Sequence, residues 1–140
     1  MRSDRRLRRL VLDENTSYLW TFRQKKGPDG VWQDIVTLLR GRDRTRILFR
    51  SGGPGSGRYV SAGDVWFQGC AVDGRGTGIN LREPAVVRAL LDEADRRGLL
   101  LPGDRELDGW ELFRSVAEVV GLKRAAAATP GAPRGCPPGP

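Results

Sequence analysis

The sequence predicts an α+β domain over residues 1–122: an antiparallel β-meander of about five to seven short strands, then two C-terminal helices packed on one face. Three observations carry this. Up to residue 82, apolar and polar side chains alternate between glycine-rich turns, the period of half-buried strands. From Glu83 the apolar spacing changes to that of amphipathic helices. Beyond Leu122, KRAAAATPGAPRGCPPGP (123–140) has five prolines and no apolar anchor, and predicts a disordered tail.

RRLRRLVLD (5–13) and TSYLWTFRQ (16–24) read as a first hairpin, with residues 1–9 a basic arm or edge strand. In its second strand Tyr18, Trp20 and Phe22 share one face, and Leu19, Thr21 and Arg23 the other. KKGPDG (25–30) is a turn, because Pro28 fixes φ and Asp29-Gly30 supplies a left-handed position. VWQDIVTLL (31–39) follows as a strand, with Trp32, Val36 and Leu38 on one face and Val31, Ile35 and Leu39 on the other. RGRDR (40–44) turns the chain into TRILFR (45–50). The loop SGGPGSGR (51–58) leads to RYVS (58–61), DVWFQGCAV (64–72) and GINL (78–81).

In EPAVVRALLDEADRR (83–97), Val86, Val87, Leu90, Leu91 and Ala94 recur at helical spacing, Pro84 suits the first helical position and Gly98 the C′ position. LLLPGDRE (99–106) reads as a connector. Asp108 is then an N-cap with Glu111 three residues on, and Leu112, Phe113, Val116, Ala117 and Val120 form the apolar face of a helix ending before Gly121.

Gly52 and Gly57 have the spacing of a phosphate-binding loop. Yet Arg58 stands where Lys is needed, Tyr59 replaces the Ser/Thr, and strand-forming residues follow instead of a helix. The loop is therefore expected as a hairpin connection. Other chemistries are excluded more firmly. The chain has no histidine, which removes imidazole acid–base catalysis, Ser-His-Asp and Cys-His nucleophiles, and histidine zinc sites. Its two cysteines are too few for a cysteine-only zinc site; Cys70 reads as a buried apolar group and Cys136 as a free thiol. No cofactor, metal or catalytic residue is assigned. No apolar run approaches the roughly 18–20 residues of a membrane span, and the N-terminal Leu10-Val11-Leu12 is too short for a signal sequence. A cytoplasmic protein without membrane attachment is expected.

The acidic cluster Asp92, Glu93 and Asp95 reads as a solvated helix face paired with arginines, as in Asp92–Arg96 and Glu93–Arg97. Charge is divided along the chain: the net +7 arises from a basic front half, an acidic stretch over 83–122 and a basic tail. Arg outnumbers Lys by 21 to 3, a bias that GC-rich coding produces as readily as function does. The sheet region interleaves aromatics with cations. This makes Arg5, Arg6, Arg8, Arg9, Arg23, Lys25, Lys26, Trp32, Arg46, Arg58 and Trp66 the candidate partner-binding residues, with Trp32 and Trp66 as surface aromatics. These features predict a small non-enzymatic binding module contacting a protein partner, of undetermined oligomeric state. The alternatives are nucleic-acid binding by the basic arm and sheet, and a small enzyme using carboxylate or Tyr chemistry.

Overall fold

The computed structural model describes residues 7–52, 57–60, 69–73, 75 and 77–127. The chain is α+β. Strands β1 (Arg8–Val11), β2 (Ser17–Lys26), β3 (Trp32–Arg40) and β4 (Asp43–Arg50) form an antiparallel meander. Its turns sit where the sequence marks them. Asp29 Oδ1 accepts the Val31 N–H at 3.1 Å, and Gly30 (φ 79°) and Gly41 (φ 61°) occupy left-handed backbone that other residues rarely adopt.

Alternation along these strands decides the two faces. Trp20 and Phe22 of β2, Val36 and Leu38 of β3, and Ile47 and Phe49 of β4 are buried together, with Tyr18 and Trp32 partly buried against them. Helix α1 (Pro84–Arg96) and helix α2 (Gly109–Ala127) contribute to that same core, as does a second sheet of β5 (Tyr59–Val60), β6 (Cys70–Val72) and β7 (Gly78–Asn80). Val86, Val87, Leu90, Leu91 and Ala94 of α1 are all buried, as are Leu112, Phe113, Val116 and Val120 of α2. Pro84 opens α1, and Gly98 follows it at φ 70°.

Four features depart from the sequence expectation. First, the loop after β4 is closed by a single backbone bond, Gly52 N–H to the Arg58 carbonyl at 3.0 Å, but no β4–β5 ladder follows it, and β5 pairs with β6 in the second sheet. Second, the expected connector after α1 contains a strand, β8 (Asp104–Asp108), which lies parallel to β4 and completes a five-stranded sheet in the order β1-β2-β3-β4-β8. Polar contacts place it. Asp43 Oδ1 accepts the Gly103 N–H at 2.9 Å, Arg44 N–H donates to the Gly103 carbonyl at 2.9 Å, and Arg44 grips Asp104 with two bonds of 2.6 and 2.7 Å. Third, α2 runs through Gly121 to Ala127, since the alanines beyond it favour helix and nothing crowds Gly121. The remaining tail lies outside the described residues. Fourth, Cys70 is disulfide-bonded, whereas the expectation of unpaired thiols rested on compartment and spacing, which do not govern what folds together. Cys136 lies outside the described residues.

The helix-surface pairing is also partly rearranged. Glu93 binds Arg97 at 2.5 Å as expected, and Arg96 as well. Asp92 pairs back to Arg88 at 3.1 Å, one turn earlier. Arg97 then reaches the Glu111 carbonyl at 3.2 Å and Ser115 Oγ at 3.1 Å, tying α1 to α2.

At the start of α2, Asp108 Oδ1 accepts the Trp110 N–H at 3.0 Å, satisfying a donor that the helix leaves unpaired. Asp108→Ala is therefore expected to destabilise the fold by roughly 0.5–2 kcal/mol in urea denaturation. An unchanged midpoint would show that this carboxylate does not cap.

Candidate partner-binding face

The outer face of the five-stranded sheet is set by the residues that alternate with the core. Across the pairing register, Arg9, Leu19, Leu39, Arg44 and Asp104 form one row. Thr21, Thr37, Arg46 and Glu106 form the next, followed by Arg23, Ile35, Leu48 and Asp108. Lys25, Gln33 and Arg50 end the face. The described helices and the second sheet belong to the core on the opposite side. Aliphatic groups nevertheless lie on the outer face. Val11 and Leu19 are 55 and 42% exposed, whereas Ile35 is buried at 7%.

Charge on this face is not evenly compensated. Arg44 pairs with Asp104 and holds that carboxyl below the usual carboxylate range, chiefly by hydrogen bonding. Arg46 meets Glu106 at 3.3 Å, and Arg50 pairs with Asp29. The edge strand β8 thus neutralises part of β4. On the other side, Arg9, Arg23 and Lys25 have no ion-pair partner among the described residues.

Two concavities cut into the face and share Gln33, Leu48 and Glu106. One, of about 120 Å³, has Ile35, Leu48 and Thr37 between Arg23 and Lys25 on one side and Arg46 on the other. The second, of about 570 Å³, lies beyond it, bounded by Arg50, Ser51, Gly52, Arg58, Asp108 and Trp110. Its wall is braced: Trp110 Nε1 donates to the Arg50 carbonyl at 2.7 Å, and the Arg58 guanidinium lies 5.6 Å from the indole centroid. No protein-family model, curated protein or solved structure matches the chain.

The structure sorts the residues singled out in the sequence. Arg9, Arg23, Lys25 and Arg46 share the outer face, and Arg58 borders the larger concavity next to it. Arg8 alternates to the covered side, 5.3 Å from the Trp20 ring centroid, where its guanidinium caps the core. Trp32 is not an outer-face aromatic. It packs partly buried against the core with Lys26 5.9 Å from its ring centroid, because it is in phase with Val36 and Leu38. Arg5, Arg6 and Trp66 lie outside the described residues. Sequence reasoning missed Ile35, Leu48, Gln33, Thr37 and Arg50 as members of the face. Their signal was available as the positions alternating with Trp20, Phe22, Val36 and Phe49.

On the covered side, Asp34 faces the core and is 0% exposed. Gln24 Nε2 donates to its Oδ1 at 2.9 Å, while Oδ2 has no hydrogen-bond partner. Burial pushes its carboxyl up to about 7, against the smaller opposing effect of the Gln24 bond. Sealed beneath the sheet, this group acts on stability rather than on a ligand at the outer face.

Proposed function

We propose that the protein is a non-catalytic contact module that docks an acidic macromolecular partner, a protein, on the outer face of its five-stranded sheet. The observation that carries this reading is the set Arg9, Arg23 and Lys25, cations without counter-ions among the described residues, beside the accessible aliphatic groups of Leu19 and Leu48. Cations steer and orient an acidic partner, while desolvated aliphatic area supplies affinity. The protein reading is preferred to nucleic acid because Tyr18, Trp20, Phe22, Trp32 and Phe49 of this sheet all alternate to the covered side. A surface that binds single strands without sequence preference stacks their bases on such rings.

The test is capture from lysate with and without nuclease, using the native chain, the double variant Arg23→Glu/Lys25→Glu, and Arg114→Glu on exposed α2 as control. An acidic protein retained by the native chain and the control, and reduced at least tenfold by the double variant, is the expected result. Tenfold corresponds to about 1.4 kcal/mol. Loss of all captured material on nuclease treatment would replace this reading with nucleic-acid binding.

A further inference from the structure

We infer that the docked segment is an acidic amphipathic α-helix lying along β3, with its apolar stripe on Leu48 and the Thr37 methyl group and its carboxylates on Arg23 and Lys25. This rests on the proposed contact function and specifies its partner. On the face of a sheet the strands' N–H and C=O groups are already paired with each other, so a segment laid there finds no backbone partners. It must satisfy its own, and among single segments a helix does so everywhere but at its two ends. An extended chain would instead seek an edge, and β4, one flank of this groove, is covered by β8.

The width of the groove matches a helix. The cations Arg23 and Lys25 stand on β2, and Arg46 and Arg50 on β4, with the floor residues Gln33, Ile35 and Thr37 on β3 between them. Strands lie about 4.8 Å apart, so the two flanks are about 10 Å apart, the diameter of one helix.

The spacing and sign of the charges match as well. Arg23 and Lys25 are two residues apart on one face, about 6.7 Å along the strand. Glutamates four apart on a helix are separated by about 6 Å along its axis. One pair of helix carboxylates therefore meets both unpaired cations, while the opposite flank, carrying Arg46–Glu106 and Arg50–Asp29 pairs, is neutralised already. The larger concavity bounded by Trp110 and Arg58 receives the end of the segment.

The experiment uses the full chain and designed peptides of about 18 residues in which Leu follows the i, i+3, i+4, i+7 pattern and Glu fills the polar face. One control places two prolines at central polar positions, a second replaces every Glu by Lys, and all are titrated by fluorescence anisotropy. Amide shifts of Thr21, Ile35, Thr37 and Leu48 report the site, and circular dichroism reports peptide helicity. The expected result is binding of the acidic helix at least tenfold tighter than either control, with helicity gained on binding. The bound peptide should shift those amides, and Arg23→Glu/Lys25→Glu should weaken it at least tenfold while Arg114→Glu leaves it unchanged. Equal binding of the proline-broken acidic peptide would overturn the helix while leaving the acidic-partner reading standing. No binding by any acidic peptide, or binding indifferent to the double variant, would overturn both. So would tighter binding of a single-stranded oligonucleotide or of phosphatidylserine vesicles, or a dimer in sedimentation buried through these same amides.

Discussion

Asp34→Asn is expected to make the protein more stable at pH 8, by about 4 kcal/mol relative to the native chain. A carboxyl whose folded-state pKa is raised binds its proton more tightly in the native than in the unfolded chain. Here the folded value is about 7, against an ordinary value of 3.8. Stability contributed by this proton is fully present below about pH 4, falls as pH rises through about 7, and is gone above it. The native protein should therefore weaken steadily from about pH 4 to about pH 7, while the neutral amide of the variant carries no charge and removes the dependence. The check is guanidinium denaturation of both chains at half-unit pH steps. The curves should coincide at acid pH and separate toward pH 8. A variant less stable than the native chain at pH 8 would mean that Asp34 is ionised and held by donors.

Gly109→Ala is the second large effect. A Cβ at Gly109 would come closer than 3.0 Å to three atoms of the Phe49 ring. That ring is 0% exposed and packs edge-on against Trp110, with centroids 5.4 Å apart and planes at 81°. Trp110 is itself fixed by its bond to the Arg50 carbonyl and by Phe113, 5.2 Å away. The ring therefore has nowhere to swing, and the substitution should cost about 3 kcal/mol, the upper end of ordinary overpacking. Phe49→Ala should cost about 3–5 kcal/mol through the cavity it leaves. In that background Gly109→Ala should cost almost nothing, a coupling that a double-mutant cycle in urea reads directly. Additive losses would show that the two residues do not meet in the folded protein.

The sequence revealed elements wherever local chemistry was strong. Tyr18, Trp20 and Phe22 alternating in one strand, and Pro84 with Gly98 bracketing a helix, each encode their own geometry. β8 was illegible for the opposite reason. Asp104, Arg105, Glu106, Leu107 and Asp108 have no apolar alternation, and what makes them a strand is pairing with β4 and its arginines. The candidate face was half legible. Arg23, Lys25 and Arg46 were visible as cations, but Trp32 was misplaced because periodicity separates two faces without saying which the helices will cover. Asp34 shows the same limit: it falls in phase with Trp32 and Val36, and local polarity gave no sign that it would be enclosed.

The parallel pairing of β4 with β8 also orders events in time. Arg44 and Asp104 are 60 residues apart in the chain. Within the four-strand meander each pairing joins strands adjacent in sequence and needs only short loops to close, whereas the sheet's last strand is synthesised only after the second sheet and α1. During that interval β4 is a bare edge, and Arg44 and Arg46 stand on it without their β8 carboxylates. Repulsion between like cations keeps such an edge from pairing with the same strand of another nascent chain. The acids of β8 then arrive as the complement that ends the repulsion, so the arginines of β4 serve as guards before they serve as anchors.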